Sequence, residues 1–238
     1  AGFWKRGGLD AESNVLYGEG GAGLFSDGKL TARSKDRVAL RYFLETLVAC
    51  GADPAILIEA EPHVGTDKLK QIVPRLRQLI IEAGGEVRFA SRLEDLEFEQ
   101  GGLRAATVGG ERLSVERLIL ATGHSARDVY HLLASRAVAL EPKPFAVGLR
   151  VELPQQLVDR QQYGRLVGHP RLGAASFRLT RRPEGPARAC YSFCMCPGGY
   201  VIACASEAAG FTVNGMSYAD RAGDFANAAF LVPVEPAD

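Results

Sequence analysis

Two glycine pairs, Gly101-Gly102 and Gly109-Gly110, constrain this chain more than any other feature. Glycine tolerates the positive φ that two-residue hairpin turns need. The spacing predicts three short strands, Arg92 to Glu99, Leu103 to Val108 and Glu111 to Val115, joined as an antiparallel meander. A helix is predicted upstream. Thr66 is its N-cap, Asp67 suits its first turn, and Leu69, Ile72, Val73, Leu76, Leu79, Ile80 and Ala83 recur at helical spacing. Gly84-Gly85 stops it, and Pro74 inside it predicts a kink or a local break. A short strand is expected over Glu86 to Phe89. Downstream, the apolar run Arg117 to Gly123 predicts a buried strand of a mostly parallel sheet. A helix should follow, with Ser125 as N-cap and Asp128 closing a capping box. Residues 66–136 thus read helix, strand, meander, strand, helix.

Around this block the pattern changes. The first 36 residues are mostly loop, and Val38 to Ala49 is a predicted helix with Gly51 at its end. Pro142 and Pro144 mark a linker. Beyond it strands dominate: Phe145 to Val151, Ala189 to Met195, Tyr200 to Ser206, Gly210 to Val213 and Phe230 to Val234. The expected fold is α/β with a β-rich second domain, divided into residues 1–140 and 141–238.

Composition narrows the function. The 28 basic residues balance the 28 acidic ones, and no long run of one sign would recruit nucleic acid or an anionic membrane. No apolar stretch approaches the roughly 18 residues a membrane helix needs. The chain opens Ala1-Gly2-Phe3-Trp4-Lys5-Arg6, without Met or an apolar signal segment, so a cut or a disordered start upstream is expected. Five cysteines at irregular spacing read as reduced thiols of a cytoplasmic protein.

Three segments carry candidate chemistry. The run Gly18-Glu19-Gly20-Gly21-Ala22-Gly23 contains G-x-G-x-x-G. A dinucleotide fingerprint needs a buried strand before it and a helix beginning inside it. Here Leu24-Phe25-Ser26-Asp27-Gly28 breaks any helix within a turn, so that reading is rejected. The loop is either an anion-binding nest assisted by Ser26 and Lys29, or a plain surface loop. Ala121-Thr122-Gly123 either admits a cofactor to the end of a strand or is an ordinary strand-to-helix turn. The third segment is Cys190-Tyr191-Ser192-Phe193-Cys194-Met195-Cys196-Pro197-Gly198-Gly199, with Cys204 nearby. On a regular strand Cys190, Ser192, Cys194 and Cys196 share one face. Cys194 and Cys196 are then too close along the strand for an easy disulfide. Buried core thiols, a thiol beside a redox cofactor, and a metal site are the alternatives, although no second C-x-x-C or His pair completes a zinc set and no metal ligand is assigned. His124 follows the Ala-Thr-Gly turn at a helix start. Arg150 lies mid-strand and needs a partner if buried, a substrate anion being one option.

Longer motifs point to a family. They are Asn14 to Leu30 (NVLYGEGGAGLFSDGKL), Pro62 to Asp67 (PHVGTD), Ala121 to Asp128 (ATGHSARD), Glu141 to Gly148 (EPKPFAVG) and Tyr191 to Gly199 (YSFCMCPGG). With these the chain resembles, over nearly its whole length, the bacterial uncharacterised FAD-dependent dehydrogenases of the two-domain, glutathione reductase-like flavoproteins. The resemblance implies an oxidoreductase whose partial FAD-binding domain includes the three-stranded meander and is interrupted by a substrate or cap domain. It implies cofactor contacts from Gly18, Glu19, Gly20, Gly21, Ala22, Gly23, Ser26, Asp27, Lys29, Leu93, Ala121, Thr122 and Gly123. Full-length relatives open with a strand, a glycine-rich turn and a helix that grip the pyrophosphate, and close with a second Gly-Asp motif. Neither is present here, so the expectation is an internal fragment that holds FAD weakly or not at all. Cys194, Cys196, His124 and Arg150 are the candidate catalytic residues, NAD(P)H the candidate electron donor, and the small-molecule substrate is open. A non-catalytic nucleotide- or partner-binding module, and a thiol-redox or metal site at Cys190 to Cys204, are the competing readings.

Overall fold

The computed structural model describes residues 2–32, 34–185, 187–208 and 210–236. In chain order the helices are α1 (Gly2–Arg6), α2 (Arg37–Ala49), α3 (Thr66–Glu82), α4 (Arg127–Ser135) and α5 (Gln155–Tyr163). The strands are β1 (Leu93–Glu99), β2 (Gly102–Val108), β3 (Glu111–Ser114), β4 (Phe145–Pro154), β5 (Thr180–Arg181), β6 (Cys190–Cys196), β7 (Gly199–Cys204), β8 (Thr212–Ser217) and β9 (Phe225–Val234). The fold is mixed α/β with several antiparallel sheets. By packing, residues 79–142 form one unit, and residues 1–78 with 143–238 form the other. The sequence had set its boundary at 140/141.

In the larger unit the Asp36 side chain accepts from the Ala39 amide and caps α2. Leu47 and Cys50 then pack with Ala52, Ile56, Val64 and, from α3, Ile72. The helix α3 runs through Pro74 without the local break that was one of the two expected outcomes. Four antiparallel strands follow in the order β4-β9-β6-β5, and β7 and β8 form a separate hairpin. The Pro197-Gly198 turn joins β6 to β7. Gly198 has φ +50°, and a Cβ there would lie 1.7 Å from the Arg221 carbonyl oxygen, so the turn requires glycine. Met195, Ala226 and Ala228 face Val158 of α5 and Ala175 in a second core. Sequence periodicity missed α5, whose opening Gln155 is itself buried.

The smaller unit carries the meander, in the order β1-β2-β3. Its second turn is Gly109-Gly110, as the sequence predicts. Its first is one residue earlier than expected: Glu99 pairs with Gly102, leaving Gln100-Gly101 as the loop, both at positive φ. Leu96, Ala105 and Ala106 are buried, as is Val129 of α4. Ala126, not Ser125, is the N-cap of α4, and no side chain caps it. Asp128 instead pairs with Arg92, at 2.8 Å.

Two predicted strands do not form. Residues 86–89 and 117–123 join no sheet among the described residues. Leu118 and Leu120 are each 39% exposed and Ile119 is 92% exposed. An apolar run of this kind is buried only where neighbouring strands cover both faces.

Candidate functional site

The site with the most chemistry lies in the larger unit, where β6 departs from regular pairing. Phe193 pairs with Ala229, but Cys196 pairs with Asn227, so β6 takes three steps while β9 takes two. This is a β-bulge. Cys194 sits in it with φ +47°, a left-handed conformation that non-glycine residues seldom adopt. Directly paired residues share a face of an antiparallel sheet. Phe193 and Cys196 therefore lie on the Asn227 side, while Ser192, paired with Phe230, lies on the other. The expected single face of Cys190, Ser192, Cys194 and Cys196 is thus overturned by one extra residue.

Arg150 of β4 pairs with Ala229 and so belongs to that same side. Its Nε donates to Asn227 Oδ1 at 2.7 Å, and its Nη2 donates to the Cys194 carbonyl at 2.6 Å and to Cys196 Sγ at 3.5 Å. These neutral partners answer the need for company that its mid-strand position raised. Asn227 is 1% exposed, and its Nδ2 is a buried donor without an acceptor among the described residues. Gly215 of β8 leaves room for this contact. A Cβ there would lie 2.1 Å from Arg150 Nη2 and 2.4 Å from Asn227 Oδ1.

A buried ion cluster adjoins the thiols. Asp27, 1% exposed, is 2.8 Å from Lys29 Nζ and 2.5 Å from Arg221 Nη2, and the Ser217 hydroxyl donates to it. Burial alone would raise the Asp27 pKa. The Arg221 hydrogen bond, the Lys29 charge and the Ser217 hydroxyl outweigh that and hold it below the ordinary carboxylate value. Lys29 Nζ also donates to the Met195 carbonyl, in the middle of the thiol segment.

The two sulfurs differ sharply. Cys194 is half-buried and Cys196 has no exposed surface. The Cys196 thiol stabilises a Cys194 thiolate by hydrogen bonding; burial opposes this, Lys29 and Arg150 add to it, and Asp27 detracts. Together they bring Cys194 from 9.0 down to about 6. Cys196 keeps its proton, its pKa pushed up by the bond to Cys194 and by burial. Such a pair loses its first proton at the reachable sulfur, and the thiolate is the nucleophilic form. A cleft of about 620 Å³ in the same unit is lined by Gln155, Asp159, Tyr163, Arg221 and Phe225, among others. Gln155 Oε1 accepts from the Gly198 amide at 2.8 Å, which ties the cleft wall to the turn after Cys196.

The structure therefore brings together Asp27, Lys29, Arg150, Cys194 and Cys196. Gly18, Glu19 and Gly20 form an exposed turn, and Gly21, Ala22 and Gly23 belong to a short 3-10 helix, Gly21–Phe25. Glu19 pairs with Arg77 at 3.2 Å. Ser26 Oγ donates to the Gly23 carbonyl and accepts from the Gly28 amide, and Lys29 is engaged with Asp27 and Met195. In the smaller unit Leu93 opens β1 opposite Val108, and Ala121, Thr122, Gly123 and His124 are exposed and non-helical. Sequence reasoning missed Ser217, Arg221, Gly215 and Asn227. Only Asn227 carried a local signal, as the lone polar residue in Ala226-Asn227-Ala228-Ala229. Among the described residues no group of three His, Cys, Asp or Glu is placed to hold a metal ion, and no helix is long and apolar enough to cross a membrane.

Comparison with known proteins adds two likenesses. The chain is 49% identical over 236 residues to an uncharacterized protein of Clostridium beijerinckii, covering 99% of this chain and 44% of that protein. It thus spans less than half the length of that relative. Residues 144–238, which hold Arg150, the bulge, the ion-cluster residues Ser217 and Arg221, and Asn227, match the family model for "FAD-dependent protein, C-terminal domain-like".

Proposed function

We propose that this chain is part of an FAD-dependent oxidoreductase, with residues 1–140 contributing to the FAD-binding domain and residues 141–238 to a substrate or cap domain. The match of residues 144–238 to the FAD-dependent family carries the reading. When bound, FAD supplies two-electron redox chemistry, and the protein positions and shields it. The chain offers small-residue approaches that fit such a group. A Cβ added at Gly18, Gly23 or Gly123 would meet no atom within 4 Å, so backbone at these turns is open to a phosphate or a ring edge. Gly18 to Gly23 and Ala121 to Gly123 are the proposed FAD contacts, with Leu93 beside the adenine. Cys194, Cys196, Arg150 and His124 are the proposed residues on the substrate side, and NAD(P)H is the proposed electron donor.

The 238-residue polypeptide alone is proposed to hold FAD weakly. Support comes from residues 117–123, which lead into the Ala121 to Gly123 turn but are exposed and belong to no sheet among the described residues. A binding edge without sheet neighbours is not pre-organised, and ordering it opposes binding. The test uses the full-length protein that contains this chain. It should purify yellow, release flavin on denaturation, and bleach on anaerobic addition of NADH or NADPH. A colourless protein that takes up no added FAD would overturn the flavin reading. Bound flavin that no nicotinamide reduces would overturn the proposed donor alone.

A further inference from the structure

The bulge in β6 does something a regular strand could not. It lets two cysteines separated by one residue differ completely in access, one half-buried and one fully enclosed, while the Cys196 thiol donates to the Cys194 carbonyl at 3.4 Å. It also holds Cys194 in a left-handed backbone conformation. An outlier of this kind persists only where its surroundings over-determine it. Those surroundings are visible: Arg150 grips the Cys194 carbonyl at 2.6 Å and approaches Cys196 Sγ at 3.5 Å, and Lys29 grips the Met195 carbonyl between them. Cys50 and Cys204 are buried thiols within apolar clusters; Arg75 donates to the Cys50 carbonyl, but neither thiol lies in a bulge or at positive φ.

From this geometry we infer that Cys194 and Cys196 form a redox-active dithiol that exchanges with a small disulfide, Cys194 attacking and Cys196 resolving. The inference goes beyond the flavin reading and does not depend on it. In the first step the Cys194 thiolate attacks one sulfur of the substrate R–S–S–R. A Cys194–S–S–R bond forms, the substrate S–S bond breaks, and R–S⁻ leaves. In the second step Cys196 gives up its proton to the departing thiolate and attacks the Cys194 sulfur. The Cys194–Cys196 bond forms and the second R–S⁻ leaves, taking a proton from water. Overall the dithiol is oxidised by two electrons and the small disulfide is reduced to two thiols. A link between positions this close closes a short, strained ring, and strained disulfides are the readily reduced, exchanging kind rather than the structural kind.

The groups around the sulfurs set the pH response. Lys29 and Arg150 favour the thiolate, Asp27 opposes it, and the Cys196 thiol favours it through its hydrogen bond. The test incubates the folded protein with glutathione disulfide and follows it by thiol titration and peptide mapping. The expected result is the loss of two of the five thiols, with Cys194 and Cys196 recovered in one linked peptide that reducing agent separates. The Cys196→Ser variant should stop at a stable Cys194–glutathione mixed disulfide, Cys194→Ser should not react, and Cys190→Ser should behave as wild type. Alkylation of Cys194 in Cys196-intact protein should titrate near pH 6 rather than 9, and Lys29→Met should move that midpoint upward. Because the wild-type experiment needs no variant to fold, it decides alone. Glutathione adducts that never resolve to a Cys194–Cys196 link, or an oxidised pair made of other cysteines, would overturn the proposal. Flavin content of the full-length protein is irrelevant to this readout, so the two readings can fail separately.

Discussion

Both units carry exposed ion pairs, such as Arg41–Glu45 in the larger one, but among the described residues the larger unit also encloses a charge cluster. In the meander unit, Arg88–Glu86, Arg112–Glu97 and Arg136–Asp95 are exposed pairs laid across the surface. Water and salt already solvate both partners there, so such pairs add little to stability. In the larger unit, Asp27 is enclosed, and Lys29 two residues on is joined there by Arg221 and the Ser217 hydroxyl from a segment far away in sequence. Enclosed charge is costly if any partner is missing. The lesson is that counts of ion pairs do not locate a site, whereas the burial of the pairs does.

Four experiments sharpen or break this contrast. Asp27→Ala leaves Arg221 and Lys29 without their shared anion, and should lower unfolding stability by about 3 kcal/mol, the low end for a broken buried pair because both cations are partly exposed. Urea unfolding checks it, and a loss no larger than that of a surface variant would erase the distinction. Gly215→Val forces a side chain against Arg150 and Asn227 and should cost about 2 kcal/mol. It should also slow the reaction of Cys194 with a thiol reagent, because the guanidinium that grips its carbonyl is displaced.

Acid should act next. The Asp27 pKa is lower in the folded state than its ordinary 3.8, so its contribution is complete above pH 3.8 and is lost as pH falls from there through the lower folded value. Wild type should therefore lose stability over that range faster than Asp27→Ala, and parallel pH curves would contradict the sign. The smallest effect belongs to Arg112→Ala. Its two hydrogen bonds to Glu97, at 2.8 and 2.6 Å, have good geometry but lie in solvent. Its melting temperature should match wild type, and a clear drop would show that the surface pairs of the meander act as a network.

Much of the fold was legible in the chain. The meander, α2, α3 and most of the β-rich strands follow from local periodicity and from glycine turns that one neighbour decides. The first hairpin turn slipped by one residue because Gln100 adopts a positive φ that a glycine-based reading assigns elsewhere. The strand expected at 117–123 failed because apolar sequence records what a segment can bury, not whether a partner is present. The site was legible only in part. Cys194, Cys196, Arg150, Asp27 and Lys29 stood out individually. Their convergence with Ser217, Arg221 and Asn227 rests on contacts across as many as 194 positions, which no local pattern encodes.

The extra residue in β6 also fixes how this protein can change. Side chains on a strand are read in twos, so one added residue shifts the phase of everything after it. Substitution at any position leaves that phase untouched, while deletion of a single codon between Phe193 and Cys196 would leave two steps on β6 against two on β9, keeping Cys196 opposite Asn227 but abolishing the bulge that holds Cys194. The arrangement is thus well guarded against point mutation and exposed to changes in length, and a homologue one residue shorter between Phe193 and Cys196 would have traded the thiol pair for a plain strand.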